Sequence, residues 1–194
     1  MASKPCTTAD PGLPLDQDQG TSPTPLIPMG SPPSLLGLPA SPITAASFAP
    51  FGYVIEPRPD GDPWRPGDAE LQFEGGPPRL YLMTLAAKGL RVHDLARHGR
   101  VSQALGSMDG QVWYLVVARP DHPSDHPLDP GRDLQAFRIP PRRLVVLRPG
   151  TWHAGPLFST PAEMVFINLE SRTTDDDDVM LLPVPSHTPC QVEN

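Results

Sequence analysis

The stretch RPGTWH, residues 148–153, directly follows the apolar run LVVL, residues 144–147. An apolar run between turn formers is typical of a short β-strand, and Pro149-Gly150 is a tight-turn pair. An indole and an imidazole, Trp152 and His153, come immediately after the turn. A glycine-bearing turn that ends a strand and presents a histidine is typical of the mouth of a small β-barrel, where acids, bases and ligands are placed.

The sequence on either side of this stretch predicts more strands. Short apolar or alternating runs are bounded by Gly, Pro or Asp, which is typical of β-structure. The predicted strands are Gly52–Glu56, Leu80–Leu85, Gln111–Ala118, Leu134–Ile139, Leu144–Leu147 and Met164–Leu169. Thr44–Phe51 is predicted as a capped helical turn, and Arg91–His98 as either a short helix or another strand. We therefore expect an all-β sandwich or small barrel with one or two short helices.

Length and composition predict one domain between two loose ends. The chain has 194 residues, which is enough for one sizeable core. Residues 1–41 are rich in Pro, Ser, Thr and Gly and can bury too little apolar surface to offset their ordering entropy, so we predict a disordered arm. Residues 42–182 form the predicted domain, and residues 183–194 are predicted to be a loose C-terminal tail.

Charge and cysteine content argue against several classes of protein. A net charge of −7 argues against nucleic acid or an anionic membrane as the partner. No apolar run approaches the roughly 18 residues of a membrane span. The start of the chain has no secretory signal, so we expect a cytoplasmic protein, with organellar targeting by the arm as the weaker alternative. Cys6 and Cys190 are expected to be two incidental thiols.

Two polar segments are predicted to be solvated surface. His122 and His126 are four residues apart, but the prolines among them prevent the helix that would align the two rings. The acidic run Asp175–Asp178 lacks the spaced ligands of a calcium loop. We therefore expect neither segment to hold a metal.

Two motifs of the cupin barrels can be laid on this chain. Gly150-Thr-Trp-His153 fits the second motif, Gly-x-x-His, and the His-x-His motif can be laid on the segment that starts at His98. On that alignment Arg100 replaces a His and Gln103 replaces a Glu of the usual metal site. Arg has no free lone pair and Gln has only a neutral oxygen, so this donor set predicts no metal. It suits an anionic, hydroxylated small molecule instead.

Three segments resemble ureidoglycolate lyase, a cupin-type enzyme of allantoin and purine catabolism that splits ureidoglycolate into glyoxylate and urea. They are FAPFGYVIE at 48–56, HGRVSQALGSMDGQVWYLVVA at 98–118, and LQAF at 134–137 with GTWHAGPLF at 150–158. The segments WHAGPLF and NLE resemble the corresponding segments of the plant and green-algal branch. The resemblance covers roughly residues 42–180 and implies a single cupin barrel, or jelly roll, that forms a homodimer.

The resemblance also implies a reaction and a set of site residues. It implies a carbon–nitrogen lyase of the amidine-lyase type, with no cofactor and with a carboxylate-bearing ureido compound as substrate. His153 and His98 are the expected catalytic acid and base, because imidazole titrates near neutral pH. The expected substrate-binding residues are Arg100, Ser102, Gln103, Trp152 and Arg148.

Three sites depart from the pattern of the bacterial members and keep alternatives open; at one of them, near Met83-Thr84, an Asn-Arg pair of those members has no match. Ala154 stands where those members have a second His, and Asn168-Leu169 stands where they have Asp-Arg. A cupin-fold small-molecule binding or regulatory protein without lyase activity is therefore the alternative. A metal-dependent cupin dioxygenase or isomerase is a third reading, disfavoured by Arg100 and Gln103.

Overall fold

The computed structural model describes residues 34–74 and 76–193, which contain thirteen strands and three short helices. The elements are β1 Leu36–Pro42, α1 Ala45–Phe48, β2 Gly52–Ile55, β3 Pro78–Ala86, β4 Arg91–Val92, β5 Asp94–His98, β6 Gln103–Ser107, β7 Trp113–Ala118, α2 Pro130–Asp133, β8 Gln135–Ile139, β9 Leu144–Leu147, β10 Trp152–Leu157, β11 Glu163–Ser171, α3 Thr174–Asp177, β12 Val179–Pro183 and β13 Cys190–Glu193. This content confirms the predicted mostly-β class. Most of the predicted disordered arm, residues 1–33, lies outside the described residues.

The strands form two curled sheets, as in a β-barrel. One sheet has the order β12-β5-β10-β7-β8-β1-β13-β4, and the other has the order β2-β9-β6-β11-β3. An apolar core between the sheets takes side chains from both, among them Trp113, Phe137, Leu147 and Phe166. No helix in the described part of the chain is long and apolar enough to cross a membrane.

The six predicted strands are confirmed, with small differences in their ends. They correspond to β2, β3, β7, β8, β9 and β11. The predicted helical turn is α1, where the Thr44 hydroxyl accepts a hydrogen bond from the Ser47 amide at 3.1 Å and so caps the helix. The ambiguous segment 91–98 forms strands β4 and β5, which resolves it in favour of the strand alternative.

Two strands that the sequence analysis missed lie within the predicted loose ends. β1 starts at Leu36, inside the predicted arm, and β13 ends at Glu193, inside the predicted tail. The first half of β1 pairs in parallel with β13, and its second half pairs in parallel with β8. The apolar side chains of these short segments are buried only because strands distant in the sequence meet. The division into arm, domain and tail itself stays a prediction.

The larger sheet is covered on both faces. A second apolar core lies on its outer side and includes Leu38 of β1, Trp152 of β10 and Val192 of β13. All six residues of β7 are therefore buried: Trp113, Leu115 and Val117 belong to the inner core, whereas Tyr114, Val116 and Ala118 belong to the outer one. A strand with both faces covered reads as a nearly continuous apolar run.

The outer core gives a stability prediction. Leu38 is 5% exposed and Leu35, three residues earlier, is 45% exposed. Leu38→Ala should lower the free energy of unfolding by about 2–4 kcal/mol, because it leaves a cavity in a packed layer. Leu35→Ala is the matched control and should change it by less than about 0.5 kcal/mol. Urea denaturation measures both; equally small effects would mean that residues 35–38 form part of a loose arm.

Candidate functional site

A cavity of about 490 Å³ lies between the two sheets, at one end of the inner core. Its walls come from β3, β6 and β10 and from the segment 88–96. Two polar residues in the wall are buried, His153 and Gln103. Four exposed polar residues lie at the mouth: Lys88, Arg91, His93 and Asp94. This volume is in the range of small-molecule sites in proteins.

His153 faces the cavity because it is the second residue of β10. Successive side chains of a strand point to opposite faces, so Trp152 enters the outer core while His153 points inward. The sequence analysis placed this histidine at a turn, and the structure places it in a strand. The His153 Nδ1 is 3.1 Å from the Thr151 carbonyl oxygen. A carbonyl only accepts, so Nδ1 carries the proton and Nε2 keeps the lone pair.

Burial controls the charge of His153. The ring is 6% exposed, and desolvation, with a smaller contribution from His98, lowers its pKa to about 4 against the opposing hydrogen bond to Thr151. The imidazole is therefore neutral at pH 7. A neutral ring with a free Nε2 can accept a proton from a bound molecule.

His98 lies behind His153 rather than in the cavity wall. It ends β5, which pairs with β10, and the two imidazole centroids are 5.4 Å apart. In the turn of residues 148–153, the Gly150 amide donates to the His98 carbonyl at 2.6 Å. Gly150 has a φ of +87°, a conformation that favours glycine. His98 Nδ1 donates to the Asp178 carbonyl at 3.2 Å. The two predicted catalytic histidines are thus neighbours, with His153 in the cavity wall and His98 outside it.

The acidic run holds the loop that follows His98. The Asp178 carboxylate accepts hydrogen bonds from the amides of Gly99 and Arg100, both at 2.9 Å. The Arg100 guanidinium lies 2.8 Å from the Asp177 carboxylate and does not line the cavity. The sequence analysis expected a solvated acidic run and an arginine in the pocket. Asp175, Asp176 and Asp177 are exposed, as expected. Arg100 forms ion pairs with Asp177 and Asp178 and so lies outside the cavity wall.

Gln103 lines the cavity as part of a buried polar network. Its Nε2 donates to Asn168 Oδ1 at 3.2 Å and to Glu170 Oε2 at 3.3 Å. Asn168 Nδ2 donates to the Tyr81 hydroxyl, which donates to Glu170 Oε1. Burial, with a further contribution from the charge of Glu170, raises the pKa of Tyr81, so this hydroxyl keeps its proton. Arg79 lies 3.8 Å from Glu170 and partly balances its charge.

The other predicted binding residues have structural contacts elsewhere. The Ser102 hydroxyl accepts from the Gln72 amide at 3.0 Å. Trp152 donates to the His122 carbonyl at 3.1 Å, and the Arg148 guanidinium lies over the Tyr53 ring at 4.8 Å. None of the three lines the cavity.

Lys88 and Arg91 were missed by the sequence analysis. Lys88 follows the predicted strand Leu80–Leu85, Arg91 begins the ambiguous segment Arg91–His98, and neither belongs to a recognisable motif. Only the meeting of the two sheets brings them next to His153 and Gln103. A basic residue flanking a glycine turn was the one available signal, and it is not specific.

A divalent metal ion fits this site poorly. Among residues 34–74 and 76–193, no three His, Cys, Asp or Glu side chains are grouped as metal ligands. The wall offers His153, the neutral amide of Gln103 and the exposed His93 and Asp94, but these are not grouped as the three or four protein ligands that first-row metals usually take. Independence from metal stays a prediction, and metal analysis of the purified protein checks it.

The comparisons with known proteins identify one family. The family model described as ureidoglycolate lyase matches residues 36–189, a range that contains the whole cavity wall. A search of curated proteins finds no match.

The low pKa of His153 predicts a pH dependence of stability. The folded pKa of about 4 lies below the ordinary value of 6.5, so the unfolded chain binds this proton more tightly. Stability is then lost as pH falls below 6.5, by about 2 kcal/mol at pH 5 from this residue. His153→Gln should remove that part of the loss between pH 7 and pH 5. His187→Gln, at an exposed histidine, is the control in urea denaturation. Equal losses in both variants and the wild type would contradict the assignment.

Proposed function

Because this chain belongs to the ureidoglycolate lyase family, we propose that it cleaves ureidoglycolate into glyoxylate and urea. The observation that supports this proposal is the composition of the cavity wall. A neutral imidazole and an amide lie inside it, and its mouth carries two cations, Lys88 and Arg91, against one carboxylate, Asp94. Such a wall suits a small molecule with a carboxylate at one end and hydrogen-bonding groups at the other.

His153 is the proposed proton carrier. Cleavage removes the proton of the substrate hydroxyl, breaks the bond between the central carbon and the ureido nitrogen, and places a proton on that nitrogen. The free Nε2 of His153 can take the hydroxyl proton as the aldehyde forms. Because burial makes the charged ring unfavourable, His153 then returns the proton readily to the departing urea. The proton count is balanced without a cofactor.

His98 is proposed to act through His153. Its ring lies against that of His153, and the Asp178 carbonyl holds its Nδ1. This contact keeps the His153 ring in place, and His98 contributes to the lowered pKa of His153. His98 is therefore a positioning residue in this proposal rather than the partner acid that the sequence analysis expected.

Lys88 and Arg91 are proposed to bind the substrate carboxylate. Both are exposed at the mouth of the cavity, where a charged group can remain partly hydrated. Arg100 is engaged with Asp177, and Arg148 lies on Tyr53. We thus assign to the mouth cations the role that the resemblance suggested for Arg100 and Arg148.

A binding protein without lyase activity is the second candidate. Ala154 lines the cavity and brings no functional group to the position where bacterial members have a second His. A cavity whose one buried imidazole is His153 can bind the same carboxylate-bearing ureido compound without turnover. Release of glyoxylate distinguishes the two candidates.

The proposal also includes the cupin fold, a homodimer, the plant and green-algal branch and a cytoplasmic location. The cupin fold is supported by the curled sheets and by the resemblance of the two motifs. Homodimerisation, the plant and green-algal branch and a cytoplasmic location rest on the resemblance and on the composition of the chain.

The first activity prediction concerns His153. His153→Ala should lower kcat for glyoxylate release from ureidoglycolate by about 10²–10⁴-fold, the usual effect of losing a general base. Circular dichroism checks that the variant folds, and the exposed His187→Ala should keep wild-type turnover. No release by the wild type, with or without added divalent metals, would reject the lyase proposal.

The second activity prediction compares two arginines. Arg91→Ala should raise KM for ureidoglycolate by about 3–10-fold with little change in kcat, because it removes a partly hydrated charge contact with the ground state. Arg100→Ala should leave KM close to the wild-type value. The reverse result would support the sequence-based assignment of Arg100 to substrate binding.

A further inference from the structure

Three neighbouring strands place a row of polar side chains beside the cavity, and one of them, Gln103, lines it. Tyr81 of β3 faces Asn168 of β11, and Arg79 faces Glu170. The register between β11 and β6 brings Gln103 to the same row. The same inward face of β11 carries the apolar Phe166 closer to the core. The polar network is thus confined to one end of the barrel.

The carboxylate of Glu170 sets the direction of every hydrogen bond in this network. An ionised carboxylate only accepts, so both Tyr81 and Gln103 donate to it. The Tyr81 oxygen then accepts from the Asn168 amide nitrogen, which leaves Asn168 Oδ1 to accept from Gln103. Both protons of Gln103 Nε2 are therefore used, and a flipped amide would place its oxygen against two acceptor oxygens.

The oxygen of Gln103 is left without a partner. The side chain is 8% exposed, and Oε1 is buried with no hydrogen bond to any described residue. A buried acceptor without a partner is costly, and a ligand that donates to it removes that cost. If the carboxylate lies at the mouth cations, as proposed above, the other end of the ligand points towards Gln103, and a small shift of this side chain lets the ligand reach its buried Oε1.

We propose that Glu170 is a positioning residue that makes Gln103 an obligate acceptor for the terminal –NH₂ of a ureido ligand. This inference rests on the proposed function for the orientation of the ligand. It adds a specificity rule: the site selects ligands that donate a proton at the end opposite the carboxylate. Ligands that carry a methyl group at that end leave Gln103 Oε1 without a partner.

Two commercial probes differ in this one group. N-carbamoylglycine has a terminal –NH₂, a ureido carbonyl and a carboxylate, and N-acetylglycine has a methyl group in place of that –NH₂. Isothermal titration calorimetry of the full chain should show that N-carbamoylglycine binds about 10-fold or more tightly than N-acetylglycine. Equal affinities, or no binding of either compound, would overturn the proposal.

Variants separate positioning from general stability. Glu170→Gln lets Gln103 present either end of its amide, so the affinity ratio of the two probes should fall towards one. Tyr81→Phe is the matched control: it removes hydrogen bonds from the same network but leaves Glu170 to accept from Gln103, so most of the ratio should remain. An equal loss of the ratio in both variants would show that the network acts only through stability, and would overturn the role of Glu170.

A third variant decides the matter if Glu170→Gln does not fold. Gln103→Met keeps the size of the side chain and removes the acceptor, so the affinity ratio should fall to about one while binding of the carboxylate remains. A retained ratio would overturn the proposal. Glyoxylate release is measured separately: a protein that discriminates between the probes without releasing glyoxylate supports this inference and rejects the lyase proposal.

Discussion

The alternation of side chains across a sheet that is covered on both faces is the constraint on which this structure depends. At β10 it sends Trp152 into the outer core and His153 into the cavity. At β7 it divides six consecutive buried residues between the two cores. A shift of one residue in the pairing of β10 would bury the imidazole in an apolar layer and expose the indole to the cavity. Packing of the outer core therefore holds the catalytic candidate in its orientation.

The outer core in turn depends on both ends of the described chain. Leu38 and Val192 are brought together by the parallel pairing of β1 with β13, and both cover the face of the sheet that carries Trp152. Leu38 and Val192 have no chemical role, but through their packing against this face they affect the geometry of the site. Inside the barrel, polar groups are tolerated because they are paired: His153 bonds to Thr151, and Glu170 accepts from Tyr81 and Gln103. Gln103 Oε1 and, in the inner core, Trp113 Nε1 are exceptions. Gln103 is the one of these two that lines the cavity, and an unpaired buried acceptor at that place indicates a ligand position.

The sequence analysis succeeded where a local pattern sufficed. Leu144–Leu147 was identified with its exact ends, because an apolar run between Arg and Pro has few alternatives. His153 and Gln103 were both identified as site residues, and both line the cavity. Arg100 lies outside the cavity wall, beside Asp177 and Asp178, and a motif alignment does not show such neighbours. Arg91 was missed for the opposite reason, since it has no motif and reaches the cavity only through the meeting of β4 with the barrel.

The sequence by itself determined the β class, the turn that precedes His153 and the family, because these depend on residue types at short spacings. Only the tertiary structure decided which side of a strand each residue faces, which cations remain free for a ligand, and which end of the Gln103 amide is available. Those properties depend on contacts between segments as far apart as Gln103 and Glu170, and side-chain burial and hydrogen-bond direction are set by such neighbours. Contacts between distant segments also explain why β1 and β13, which lie in segments predicted to be loose ends, form a paired and buried layer.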